Sequence, residues 1–168
     1  MRPFVAVDIE TTGLDPNKHE VIEVGLVSEQ GHETFSLEFN PELADPKALE
    51  VNGWGQRSFP ECYEVVYAQD VLNDWLTGVH LVGKNPQFDA AFLERYLGKA
   101  VWHHRLVDVG SMAWGWYLSD GNVWEQPPNV AKVAEMVNIP IRNQHTALDD
   151  AKWAWDVFHY IRTGRPPE

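Results

Sequence analysis

The sequence predicts an α/β sandwich: a mixed central β-sheet flanked by helices. Two observations predict it, since runs of strand-like period come first along the chain and a mixture of helical and strand patterns follows. The apolar run near residues 4–9 reads as the first strand, with others near 21–27 and 33–39. The turn-rich segments Gly13-Leu14-Asp15-Pro16-Asn17 and Glu29-Gln30-Gly31 join them, which makes the three a meander. A helix is expected from Pro60 to Leu76, opened by Ser58 and Glu61 at capping-box spacing. Val79 to Val82 then reads as a buried strand. Beyond it the pattern alternates a helix near 87–97, a strand near 104–107, and helices near 108–118, 129–137 and 147–162. No internal repeat or low-complexity linker interrupts this order, and Thr163-Gly164-Arg165-Pro166-Pro167 is expected to mark the end of ordered packing.

The 168 residues, 44% hydrophobic and 12% aromatic, suffice for one well-buried domain over 1–168 and would cramp two. Cys62 is the single cysteine, so no intramolecular disulfide exists, and no apolar stretch reaches the ~18 residues of a membrane span. Met1-Arg2-Pro3 leads at once into a strand, without the apolar core of a signal peptide, so the expectation is a soluble, cytoplasmic protein with no membrane partner. A formal charge of −12 speaks against a wide basic face for gripping long duplex. Two bound divalent cations would still leave the chain acidic. A nucleic-acid end held through metals and close contacts remains compatible with that charge, and binding would then be weak and distributive.

Four acids stand where apolar residues are expected. Asp8 and Glu10 end the first strand, Asp89 interrupts the apolar face from Phe88 to Leu97, and Asp150 interrupts the one between Ala147 and Ile161. A carboxylate on a core-facing surface is costly to ionise, so each needs a cation or a proton. On a strand Asp8 and Glu10 share a face about 6.6 Å apart, within reach of one cation. At about 100° per residue, Phe92, Leu93, Tyr96 and Leu97 surround Asp89, whereas Glu94 and Arg95 fall on the far side. A capping aspartate at a helix start is the plainer reading of Asp89. Asp149 is an internal control for Asp150: Ala147, Ala154, Val157, Phe158 and Ile161 cluster around Asp150, while Asp149 points to the polar flank with Lys152 and Asp156. Thr146 and Asp149 form a capping-box-like helix start, which leaves His145 just outside the helix and free to swing over the site.

At these residues the sequence resembles a known family. Val7-Asp8-Ile9-Glu10-Thr11-Thr12-Gly13-Leu14-Asp15 resembles the first motif of the DEDDh 3′–5′ exonucleases. Gly83-Lys84-Asn85-Pro86-Gln87-Phe88-Asp89-Ala90-Ala91-Phe92-Leu93 resembles their second, and His145-Thr146-Ala147-Leu148-Asp149-Asp150-Ala151 their third. That family includes the proofreading subunit of bacterial replicative polymerases and oligoribonuclease. The resemblance implies a ribonuclease H-like fold and two-metal hydrolysis of a phosphodiester at a 3′ end, releasing nucleoside 5′-monophosphates. It implies that Asp8, Glu10 and Asp150 hold the metal that activates water, that Asp8 and Asp89 hold the second, and that His145 is the general base. Oxygen ligands suit Mg²⁺ or Mn²⁺ better than zinc.

By the same resemblance Thr11, Thr12 and Leu14 meet the terminal nucleotide, with Leu14 as an apolar wedge, and Asn85 and Phe88 line the pocket. Lys84 departs from the family, many of whose members carry histidine there, and is expected to approach a phosphate. Trp114, Trp116, Tyr117 and Trp124 crowd the segment before Pro127-Pro128; core packing or a dimer face is expected of them ahead of base stacking. Trp102-His103-His104-Arg105 is a local basic patch whose adjacent histidines point to opposite faces of a strand. Single-stranded or frayed DNA is the favoured substrate and short RNA the alternative. A polymerase or a second copy of the chain are candidate partners. A non-catalytic module for strand ends or a polymerase is the reading from a different class.

Overall fold

A computed structural model describes residues 3–119, 121, 126, 128–141 and 145–164. Five strands form one sheet in the order β3-β2-β1-β4-β5: β1 (Phe4–Thr11), β2 (Val21–Ser28), β3 (Gly31–Ser36), β4 (His80–Gly83) and β5 (Val107–Asp108). The first three pair antiparallel, as expected of the meander, while β4 runs parallel to β1 and β5 parallel to β4. The sheet is therefore mixed.

Alternation along β1 divides the core in two. Val5, Val7 and Ile9 face one way with Val24, Leu26 and Phe35, against the helices α2 (Val65–Leu76) and α3 (Pro86–Leu97). Ala6, Val27 and Val82 face the other way, against α4 (Val109–Ser119), α5 (Val130–Val137) and α6 (Ala147–Thr163). Fully buried leucines such as Leu72, Leu76, Leu81 and Leu93 each contribute about 2 kcal/mol to this packing. Trp153 joins α6 to the segment after α5 by donating its indole N–H to the Ile139 carbonyl at 3.3 Å.

Two boundaries differ from expectation. The second helix starts at Val65, not Pro60, and its N-cap Glu64 makes no side-chain cap bond. Residues 60–63 are instead drawn into the end of β3: Ser36 donates its N–H to the Glu61 carbonyl at 2.8 Å and its hydroxyl to the Pro60 carbonyl at 2.9 Å, and Tyr63 N–H returns to Ser36 at 3.0 Å. Sheet hydrogen bonds outcompete the Ser58 and Glu61 cap. The expected strand near 104–107 is only Val107–Asp108, because His103 N–H bonds to Val79 and Arg105 N–H to the His103 ring, outside any ladder.

A short helix absent from the sequence reading, α1 (Pro46–Val51), follows β3. Its signal was present, since Asp45 caps it by accepting from the Lys47 N–H at 2.8 Å and Pro46 fills the first turn, where no N–H is needed. Trp116 packs edge-on against Tyr160 and joins the core on the α6 side, as expected for the aromatic segment; Trp124 lies outside the described residues. Gly164 ends α6 in the left-handed conformation that favours glycine, and Arg165-Pro166-Pro167 lie outside the described residues. Among the described residues no helix is long and apolar enough to cross a membrane.

Candidate active site

The site forms where β1 and α6 meet. The β1–β2 register sets Asp8 opposite Gly25 and Glu10 opposite Glu23. A Cβ added to Gly25 would collide with the Ala147 carbonyl and the Leu148 nitrogen, so only glycine lets the first turn of α6 lie directly on β2. Thr146 caps that turn through its hydroxyl, which accepts the Asp149 N–H at 3.3 Å. Asp150 is thereby carried over the strand end, and its Oδ2 accepts the His145 N–H at 3.1 Å.

His145 adopts a left-handed backbone with φ 67°. That conformation costs a non-glycine residue about 1–2 kcal/mol. The charge-assisted bond from Asp150 offsets part of it. The imidazole is exposed just ahead of the helix, where the sequence reading put it.

Asp89 comes from the opposite layer. It is 2% exposed; of the residues that the helical period groups with it, Phe92 and Leu93 are buried and Tyr96 and Leu97 half-buried, and Asn85 rather than Asp89 occupies the N-cap of α3. Its Oδ1 accepts the Ile9 N–H at 3.0 Å. β1 outruns β4 there, so the carboxylate takes a donor that the sheet edge would leave unpaired. The carboxylate also accepts from its own backbone N–H.

Among the described residues, one ligand atom each from Glu10, His145 and Asp150 lie within 4.8 Å of one another. Asp8 and Asp89 do not join a triad at that spacing, yet their charges couple with it. Burial, then the charges of Asp89, Asp150, Glu10 and Glu23, hold the Asp8 carboxyl well above the usual carboxylate range. Burial, then Asp150 and Glu23, push Glu10 up to about 8. Asp89 is raised to about 7 by burial, against the pull of the Ile9 N–H. Burial also raises Asp150, while the His145 N–H and the charges of His145 and Lys84 oppose it. Carboxylates drawn together with so little positive charge nearby fit a divalent cation, and their all-oxygen donor set fits a hard one.

The residues expected to meet substrate have distinct settings. Thr11 and Thr12 are buried, and their hydroxyls are spent on the turn: Thr11 donates to the Gly13 carbonyl at 2.7 Å and Thr12 accepts the Glu20 N–H at 2.8 Å. Leu14 at the tip of that turn is 81% exposed, an unusual place for a large apolar side chain. Asn85 is exposed and left-handed with φ 55°, held by its N–H to Asp108 Oδ2 at 2.7 Å, while its side chain makes no cap bond. Phe88 packs on Phe92 and the adjoining core. Lys84 is exposed beside these residues, within the field of Asp150.

Sequence reasoning missed two charged residues beneath the site. Glu23 is 2% exposed, raised by burial, and pairs with Arg57. The rule that singled out the other acids finds Glu23 too, since it interrupts the apolar run Val21 to Val27. Arg57 carries no such signal; it lies in the irregular segment between α1 and α2.

Residues 5–158 match the model of the exonuclease family. A 3′-5′ DNA exonuclease of Escherichia coli, Cap18, is 27% identical over 94% of this chain and 90% of its own length. The DNA polymerase III subunit epsilon of Treponema pallidum is 27% identical over 92% of this chain and 74% of its own. Escherichia coli exonuclease I, solved with a dT13 oligonucleotide, superposes with a TM-score of 0.71 at 17% identity over 97% of this chain and 41% of its own, which establishes the ribonuclease H-like fold. A zinc-bound form of that exonuclease with single-stranded DNA superposes with a TM-score of 0.70. Divalent-metal dependence is general in the family. With the carboxylates and His145 all inside the matched span, the chain belongs to the exonuclease family and is a 3′–5′ exonuclease.

Proposed function

We propose that the chain trims 3′ ends of single-stranded or frayed DNA with two divalent cations, Mg²⁺ or Mn²⁺, and releases nucleoside 5′-monophosphates. The convergence of Glu10, His145 and Asp150 within 4.8 Å, beside the buried Asp8 and Asp89, carries this reading. Asp8, Glu10 and Asp150 would hold one ion, and Asp8 with Asp89 the other. Such ions supply Lewis acidity and stabilise charge on both oxygens of an in-line displacement.

The chain's own groups do the rest. The exposed His145 imidazole takes the proton of the attacking water as the new P–O bond forms and the bond to the 3′ oxygen of the preceding nucleotide breaks. Asp150 holds His145 by its backbone N–H, so the imidazole need not search for its place. Leu14, exposed at the turn tip, wedges against the terminal base; Asn85 and Phe88 line the same pocket, and Thr11 and Thr12 shape it by fixing the turn. Lys84 approaches a substrate phosphate.

DNA is favoured over RNA because the relative Cap18 is a DNA exonuclease and exonuclease I was solved with a dT13 oligonucleotide. The acidic surface, −12 overall, fits weak and distributive binding in the cytoplasm rather than a long grip on duplex. The similarity to a polymerase III subunit makes a polymerase a candidate partner, and a second copy of the chain another. Side-by-side digestion of labelled DNA and RNA oligomers of one sequence is the test. Faster shortening of DNA is expected; cleavage of RNA alone would transfer the reading to an exoribonuclease, and inertness toward both with either cation would leave a binding module.

A further inference from the structure

We propose that Arg57 is a positioning residue for His145, and that it acts by holding the histidine's backbone carbonyl from a buried ionic anchor. This rests on the reading of His145 as the general base.

Arg57 uses its fork in three directions at once. Nε–H donates to the Asn52 carbonyl at 2.8 Å, and Nη2 donates both to Glu23 and to the His145 carbonyl at 3.1 Å. The Phe59 ring covers its flat face, 3.9 Å from Cζ. Asn52 in turn donates its side-chain N–H to the Thr11 carbonyl at 3.3 Å. The stretch from the C-cap of α1 to Arg57 thus ties the end of β1 to the residue ahead of α6.

The anchor is firm because both its ends are constrained. Glu23 lies in the middle layer opposite Glu10, almost without solvent, and accepts the Ala147 N–H as well as the guanidinium. His145 is the exposed end. Its left-handed backbone is held on the N–H side by Asp150 and on the carbonyl side by Arg57, so both of its peptide groups are fixed while the residue stands exposed. Only a planar fork reaches Asn52, Glu23 and His145 together; a lysine ammonium would neutralise Glu23 but not span all three. Arg57 touches no reacting atom in this arrangement. Its contribution runs through where the imidazole stands.

The test is a double-mutant cycle on 3′ trimming of a labelled DNA oligomer, with melting temperature measured alongside. Arg57→Ala is expected to lower kcat about 30-fold with KM within about twofold, since small misplacement of a reacting group is expensive. In a His145→Ala background the same change should cost nothing further, because nothing is left to position. Arg57→Lys keeps a charge beside Glu23 and guards against simple unfolding; it should melt within a few degrees of wild type yet lose about tenfold in kcat. Full kcat in Arg57→Lys, or independent multiplying losses in the cycle with His145→Ala itself strongly slowed, would overturn the tether alone. Undiminished activity in His145→Ala would overturn the general-base reading and the tether with it.

Discussion

Asp150→Asn is expected to lower the rate of 3′-end trimming by about a thousandfold, whereas Asp149→Asn should stay within about threefold of wild type. The two residues are neighbours of one chemical kind, and only their direction on α6 differs. Asp150 stands within 4.8 Å of Glu10 and His145 by ligand atoms and accepts the His145 N–H, while Asp149 is outside that group and contributes its own N–H to the Thr146 cap. The amide removes one negative ligand and turns part of the acceptor for His145 into a donor, so cation binding and imidazole placement suffer together. Asp149→Asn leaves the cap untouched because the bond uses its backbone. Rates on a 5′-labelled oligomer, with cation affinity measured by calorimetry, check both halves. Equal losses in the two variants would mean that the first turn of α6 matters only for folding.

The metal-free protein should become less stable as pH rises from 6 to 8, contrary to the usual acid sensitivity of proteins. Glu10 is raised from 4.5 to about 8 and Asp89 from 3.8 to about 7, so the folded state keeps these protons over a range in which the unfolded chain has lost them. Below the unfolded values both states are protonated and no penalty exists. Between those values and about 8 the folded state binds more protons, and stability falls with pH until its own carboxyls ionise. A drop in melting temperature of about 5 °C between pH 6 and 8 is expected in chelator, with a larger Mn²⁺-induced rise at pH 8 than at pH 6. The cation takes over the neutralising role of the protons. A melting temperature in chelator that is flat or rises over this interval would show that these acids are solvated in the free protein.

The elements and acids legible in the sequence share one property: their signal is local and periodic. Asp89 and Asp150 could be oriented from residues within two turns of themselves, and Phe92 and Leu93 on α3 and Ala147, Ala154, Val157 and Phe158 on α6 are buried as that reading expects, whereas Asp156, expected on the polar flank with Asp149, is buried too. His145 followed from the cap at Thr146. What escaped was set by contacts distant in the chain. The segment 60–63 pairs with β3 because the Ser36 backbone and hydroxyl meet it 24 to 27 residues away in the chain, which no capping motif can reveal. Glu23 was legible by the rule applied to its fellows and was passed over, whereas Arg57 reaches Glu23 and His145 across 34 and 88 residues of chain. Gly25 looked like any strand glycine until α6 lay on it. Substrate contacts divide likewise: the exposure of Leu14 agrees with a wedge, and the hydroxyls of Thr11 and Thr12 turn inward to hold the loop.

The most direct measurement follows a 5′-labelled single-stranded DNA oligomer through a titration of Mg²⁺ and of Mn²⁺ after chelation, with mass analysis of the released product. A ladder shortening from the 3′ end, dependent on the added cation and releasing nucleoside 5′-monophosphates, is the predicted result. A ladder that persists undiminished in chelator, or an oligomer left intact at every concentration of both cations, would contradict a carboxylate-bound metal centre acting on DNA 3′ ends.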